Sequence, residues 1–342
     1  MAPTAESEGR PIICAGNWIV DIVHTIEHWP QKSDLARIKH ATQGVGGGAA
    51  NVAFALKALD ERLDVLPVGR IGSDEYGDFV ERSCKQRGLS AEHLSRDASA
   101  PTAHTHVMNL PGDSRTFFYQ GGANDIFHLE HVHLEVLRQH GGKQPLFYFG
   151  YLMLLGSFDA LRGDGTTMAA DLLQSAQKAG MITCVDLVSA AHDDFAAIVA
   201  AALPYMDYLI INEVEAGRVV GYEVADPASL ETAGQALLSK GVQRAAIIHT
   251  AEHAVWVDRS GQVFNRESEA VSADKIVSPV GAGDAFCAGV IYGVHQSWAP
   301  DMCLDLGHKA AAASLSNMTA TGGIPPAQEL LTSVASTTAQ AS

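Results

Sequence analysis

Short apolar blocks alternate along this chain with longer stretches in which apolar positions recur at helical spacing, and their order gives a first picture of the fold. The block Ile12-Ile13-Cys14-Ala15 ends at Gly16-Asn17 and reads as a buried strand; a second strand, carrying Asp21, follows it. Behind the triplet Gly46-Gly47-Gly48, residues 49–59 are small and apolar, which suits a helix packed closely on a sheet. Residues 63–68 read as a strand and 78–87 as an amphipathic helix. Between 104 and 120, two alternating segments flank the turn signal Pro111-Gly112-Asp113-Ser114 and predict a β-hairpin with one exposed face.

From residue 145 onward the pattern becomes a regular alternation. Strands are expected at 146–149, 182–186, 208–211 and 245–249, with helices near 165–179, 195–203 and 230–239 between them. Such alternation predicts a mostly parallel sheet covered by helices. Strands at 254–257 and near 263, a loop to 276–280, a helix starting at Gly281 or Ala282 and a last helix near 301–316 complete the expected domain, residues 11–331. The flanking segments 1–10 and 332–342 have little to bury and are expected to be flexible tails.

Composition narrows the class. With 342 residues, 47% of them hydrophobic and 18% charged, the chain has an ordinary globular make-up, as for a soluble enzyme, and the length for a sizeable core in one large α/β domain or two smaller ones. A formal charge of −16 argues against nucleic acid or anionic membranes as partners, so any phosphate site has to be local. Five cysteines without a paired C-x-x-C spacing predict neither a disulfide framework nor a zinc knuckle and fit a reducing compartment. The polar first ten residues lack a signal peptide's apolar stretch, and no apolar run approaches the ~20 residues of a membrane span, so a cytoplasmic protein is expected.

The densest chemistry lies in Val277-Ser278-Pro279-Val280-Gly281-Ala282-Gly283-Asp284-Ala285-Phe286. Two glycines flanking an alanine at the start of an apolar helix let backbone N–H groups approach an anion, and the helix dipole adds partial positive charge there. An aspartate directly after that nest lies close to a bound phosphate and can accept the proton of an attacking hydroxyl. On this segment alone, a glycine turn with Asp284 as a helix-terminal charge is the competing reading. Gly44-Val45-Gly46-Gly47-Gly48-Ala49 formally satisfies a relaxed dinucleotide fingerprint, but residues 37–43 before it are largely polar and give no sign of the strand that fingerprint needs.

Together these motifs resemble the ribokinase-like (PfkB) carbohydrate kinases over nearly the whole chain. One family signature is matched by Gly46-Gly47-Gly48-Ala49-Ala50-Asn51 with Gly69-Arg70-Ile71-Gly72-Ser73-Asp74-Glu75-Tyr76-Gly77, the other by Gly281-Ala282-Gly283-Asp284-Ala285-Phe286, in the family's order and separation. The resemblance implies a three-layer α/β/α sandwich with a small β-lid from segments near 18–45 and 98–125. It implies an ATP-dependent kinase acting on a hydroxyl of a sugar-like acceptor, with Asp284 as base and Gly281, Ala282 and Gly283 as anion hole. Asn17, Asp21, Gly46, Gly47, Gly48 and Asn51 correspond to the acceptor site. Asn212 and Glu215 resemble an N-x-x-E motif that organises magnesium through water; read without the family, Glu215 is an exposed helix charge. Thr250, Ala251 and His308 fall where the nucleotide binds, and a homodimer through the lid is also implied.

Two departures stand out. Where the family commonly has Asp-Thr, this chain has Ser278-Pro279, which removes an aspartate linked to monovalent-cation binding. The nucleotide loop, usually glycine-containing, reads His249-Thr250-Ala251-Glu252-His253-Ala254. His104 with His106, and His128 with His131 and His133, are read as exposed or hydrogen-bonded rather than as metal ligands. Asn317-Met318-Thr319 has the form of a glycosylation sequon without meaning in a cytoplasmic chain. A nucleoside kinase of the same fold, and a catalytically weak sugar- or nucleotide-binding protein, are the competing functions.

Overall fold

The computed structural model describes residues 9–111, 115–140, 143–272, 275–317 and 319–332. Residues 112–114 of the expected hairpin turn, Met318 of the sequon, and residues 1–8 and 333–342 of the expected tails lie outside them.

A nine-stranded sheet forms the centre. Its strands are β1 (Ile12–Gly16), β4 (Val65–Gly72), β5 (Leu94–Asp97), β8 (Leu146–Leu152), β9 (Ile182–Leu187), β10 (Tyr208–Asn212), β11 (Ala245–His249), β12 (His253–Asp258) and β13 (Val263–Glu267). They lie in the order β13-β12-β11-β10-β9-β8-β1-β4-β5. Pairing from β11 through to β5 is parallel, and the hairpin of β12 and β13 adds an antiparallel edge. The parallel strands read as unbroken apolar runs because both faces are covered. On β1, Ile12 and Cys14 enter one core and Ile13 and Ala15 the other, the period-two alternation of a strand.

One face carries the helices Gly48–Leu59, Ala282–His295 and Pro300–Ser314; the other carries Met168–Lys178, Phe195–Ala202, Glu213–Val220 and Pro227–Lys240. The result is a three-layer α/β/α sandwich. Because the parallel strands run the same way, their C-terminal ends collect Asn17, Asp186, Asn212 and His249 on one rim. Open α/β sheets place their ligands along that rim.

A second sheet of four strands stands beside it, in the order β3-β2-β6-β7, from β2 (Ile19–Ile26), β3 (Ile38–Gly46), β6 (His104–Asn109) and β7 (Arg115–Gln120). β3 corrects the sequence reading, which finds no strand before the glycines. Its first six residues are exposed and need no apolar pattern. It pairs antiparallel with β2, so it is still not the opening strand of a dinucleotide-binding βαβ unit. The helix Ala327–Thr332 and the strand Leu94–Asp97 are also absent from that reading. Among the described residues, no helix is long and apolar enough to cross a membrane.

Phe147 is fully buried on β8, between β1 and β9. Phe147→Ala is expected to lower unfolding free energy by about 3–5 kcal/mol in urea titrations. Leu35→Ala, at a position 83% exposed, should stay within about 0.5 kcal/mol of wild type. Equal effects of the two substitutions would contradict this placement of the core.

Candidate active site

Gly281 starts the site. It caps the helix Ala282–His295 at φ 84°, in the left-handed region, and a Cβ there would lie 2.5 Å from the Ala320 carbonyl oxygen. Only glycine meets both conditions. The first-turn amides that follow have no partner within the helix and form a nest for negative charge. Asp284 sits in that first turn and is buried, with 5% exposure. One of its oxygens, Oδ2, accepts from Asn51 Nδ2 at 2.8 Å and from the Tyr151 hydroxyl at 2.8 Å. Burial pushes its pKa up to about 6, with Asp21 adding repulsion, while the two hydrogen bonds hold it down.

The expected acceptor residues gather next to it. Asn51 comes from the helix Gly48–Leu59, and Asp21 from β2. Asn17 is fully buried and donates through Nδ2 to the Leu154 carbonyl at 2.7 Å. Burial also raises Asp21 to about 6, opposed by a hydrogen bond from Thr105. The glycine triplet is what lets these groups converge. A Cβ at Gly46 would come within 2.1 Å of Asp21 Oδ2, one at Gly47 within 2.6 Å of the Asn17 carbonyl, and one at Gly48 within 2.5 Å of the Tyr151 ring.

A cavity of about 250 Å³ opens on the other side of Asp284, lined among others by Asp186, Asn212, Glu215, Gly281 and Gly283. It meets a larger groove of about 860 Å³ that Thr250, Ala251, Phe286 and His308 help to line; Asn212, His249 and Gly283 border both. Asn212 and Glu215 form a reciprocal cap on the helix Glu213–Val220. Asn212 Oδ1 accepts from the Glu215 amide at 2.9 Å, and Glu215 Oε2 from the Asn212 amide at 3.1 Å. Glu215 Oε1 accepts from Ser189 at 2.9 Å, and burial raises its pKa to about 7. It is therefore not an exposed helix charge. Burial, reinforced by the Asp284 charge, also pushes Asp186 well up. Among the described residues, no three His, Cys, Asp or Glu converge closely enough to chelate an ion by themselves.

The glycine-poor loop still turns tightly. The Thr250 hydroxyl accepts from the amides of Glu252 at 3.0 Å and His253 at 2.9 Å, a side-chain turn that takes the place of a glycine. Burial lowers His249 to about 4, so it is neutral, and its ring lies 4.5 Å from Phe286. His308 packs 5.3 Å from the same ring and donates Nε2–H to the Arg266 carbonyl at 3.2 Å. Several other histidines have local partners: His24 with His106 at 3.0 Å, His104 with the Thr102 carbonyl at 3.1 Å, and His128 with Ser157 at 2.9 Å.

Three residues of the site lie beyond the sequence reading. Tyr151 reaches the site through a left-handed backbone at the end of β8, and Asp186 from the end of β9; only the position of Asp186 after the apolar run 182–185 could have flagged it. Arg115 crosses from β7 to give Nη1–H to Ser278 Oγ at 2.9 Å, and so reaches the position that lacks the expected aspartate.

The family model "pfkB family carbohydrate kinase" matches residues 11–327. The chain belongs to this family of carbohydrate kinases. The kinase is 22% identical over 340 residues to the 5-dehydro-2-deoxygluconokinase of Geobacillus thermodenitrificans, covering 96% of this chain and 94% of that one. It superposes on an Arabidopsis thaliana ribokinase complexed with ribose and ATP at a TM-score of 0.76, with 21% identity and coverage of 97% and 98%. A Burkholderia thailandensis nucleoside kinase in complex with inosine gives a TM-score of 0.70, with 19% identity and coverage of 94% and 96%. At these identities the structural matches establish the fold.

The electrostatics of the site predict a pH-dependent stability cost. Burial holds the folded-state pKa of Asp284 at about 6 against an ordinary 3.8, so the folded protein binds that proton more tightly than the unfolded chain. Stability is therefore lost as pH rises through that window, and the loss is complete above it. Asp284→Asn keeps a carbonyl oxygen for both donors and should stabilise the protein by roughly 1–3 kcal/mol at pH 8 and by nothing near pH 3. Thermal melts that coincide at pH 8 would contradict the buried, ionised carboxylate.

Proposed function

We propose that this kinase transfers the γ-phosphoryl group of ATP in line to a hydroxyl of a small sugar or sugar-like acceptor, with Asp284 as the base. The observation that carries the proposal is the hydrogen bond from Asn51 to Asp284, which joins the acceptor-side glycine loop to the first turn of the helix Ala282–His295. Asn17, Asp21, Gly46, Gly47, Gly48 and Asn51 then hold the acceptor, with Asp21 accepting from its hydroxyls. The amides around Gly281, Ala282 and Gly283 take the charge of the moving phosphoryl oxygens. Asp284 Oδ1, the oxygen not engaged by Asn51 and Tyr151, takes the proton.

The nucleotide fits the 860 Å³ groove, with its base toward His308 and its phosphates running past Thr250 and Ala251 to Gly283. The Arabidopsis ribokinase of the same fold is complexed with ribose and ATP, which supports a site for both kinds of ligand. The side-chain oxygens of Asn212 and Glu215 on the phosphate cavity suit magnesium bound through water and phosphate: they would hold the waters, and the ion would neutralise charge on the phosphates. The proposal needs no monovalent cation, because Arg115 already brings a fixed positive charge to Ser278.

The four-stranded sheet serves as the lid, and its closure keeps water from the phosphoryl group. Its open edges β3 and β7, with Phe117 at 56% and Phe118 at 57% exposure, suit pairing with a second copy. A nucleoside acceptor offers Asp21 the same ribose-like diol and is the alternative within this mechanism.

Release of ADP across a panel of sugars and nucleosides, followed by product analysis, identifies the acceptor. With that acceptor, Asp284→Asn should lower kcat by about 10²–10⁴ while ATP still binds. A variant turning over within tenfold of wild type would remove Asp284 from its role. Tight ligand binding by a wild-type protein that forms no phosphorylated product would favour a binding protein instead.

A further inference from the structure

We propose that Tyr151 is a positioning residue for the base: its phenol, held by a left-handed turn tied to Asp186, fixes Oδ2 of Asp284 and leaves Oδ1 to face the acceptor. The inference rests on the reading of Asp284 as the base and adds to it the device that orients the carboxylate.

The backbone supplies the first observation. Tyr151 sits at φ 58° and Met153 at φ 85°, both in the left-handed region that side chains other than glycine rarely enter. The β8 to β9 register shifts at this place, between Phe149 and Leu152. Such a turn costs energy and persists only where its surroundings hold it. The holding groups are two buried aspartates. Asp186 Oδ1 accepts from the Tyr151 amide at 2.8 Å, while Asp159 accepts from Met153 at 3.1 Å and Leu155 at 2.6 Å.

The side chain supplies the second. The turn sends the Tyr151 ring against Gly48, where any Cβ would collide with it, and its hydroxyl donates to Asp284 Oδ2 at 2.8 Å. Asn51 donates to the same oxygen, so both donors act on one side of the carboxylate. Burial and the nearby carboxylates of Asp284, Asp186 and Asp21 raise the phenol far above its ordinary value, so Tyr151 stays a donor at every working pH. The titratable groups around Asp284 are Asp21 from β2, Tyr148 and Tyr151 from β8, Asp186 from β9 and Cys287 from its own helix, with Glu215 from the helix Glu213–Val220 and His249 from β11 lining the same cavity. Of these, Tyr151 is the one that donates a hydrogen bond to the carboxylate, opposing the effect of burial and of Asp21.

The test is a carboxyl-carbon NMR titration of the ligand-free full chain labelled at aspartate, with the Asp284 signal assigned by its loss in Asp284→Asn. In Tyr151→Phe the Asp284 midpoint should move up by about one pH unit, the size expected for one hydrogen bond to a charged group. A midpoint unchanged within about 0.3 unit would overturn the proposal. If Tyr151→Phe does not fold, wild type labelled at the tyrosine ζ carbon replaces it. The Tyr151 signal should then report the titration of Asp284 and lose that inflection in Asp284→Asn; no inflection in wild type would overturn the proposal. Neither readout uses an acceptor, so a protein that fails to phosphorylate but shows the shift loses the kinase mechanism and keeps the positioning role. In an active enzyme, the acid limb of kcat/KM should move upward with the NMR midpoint, and a limb that stays in place would count against it.

Discussion

Everything in this structure turns on a carboxylate placed in the first turn of a buried helix, where water is excluded and backbone amides point outward. Burial favours the protonated form of Asp284 and would weaken it in the proposed role of base near neutral pH. Donors from two other parts of the chain, Asn51 and Tyr151, oppose that tendency and keep the group poised. The same arrangement brings the helix Gly48–Leu59, the start of the helix Ala282–His295 and the end of β8 to one atom, so the glycines, the strand order and the helix packing all serve its placement.

The site concentrates negative charge in an already acidic molecule. Asp284 and Glu215 are both raised by burial and line one cavity, together with Asp186. Such a cavity does not favour a polyphosphate by charge alone. In the proposed mechanism, the amides of the helix N-terminus and a cation held through Asn212 and Glu215 would make it hospitable. This agrees with the overall charge of −16, which leaves no role for a broad basic surface.

What can be read in the sequence is whatever is local in the chain. Gly281 to Asp284 is four consecutive residues, and Gly46 to Asn51 is six, so their chemistry shows in order and spacing. Parallel strands declare themselves because burial on both faces makes them uniformly apolar. The polar strand Ile38–Gly46 stays hidden because its first six residues face solvent, and the burial of Glu215 because it depends on packing that spacing does not show. Tyr151 and Asp186 contribute through a backbone turn and contacts across 35 to 133 residues of chain, which no spacing rule encodes. The loop at 249–254 shows the reverse: without a glycine, it turns on a threonine hydroxyl that accepts two backbone amides.

For phosphoryl transfer of the kind proposed, base and anion hole must meet the same phosphoryl group. A crystal structure with a non-hydrolysable ATP analogue and the screened acceptor tests this most directly. The terminal phosphate should lie within about 3 Å of the Gly283 and Asp284 amides, with the acceptor hydroxyl at a similar distance from Asp284 Oδ1. A terminal phosphate bound away from the start of that helix, or an acceptor hydroxyl out of reach of Asp284, would contradict it.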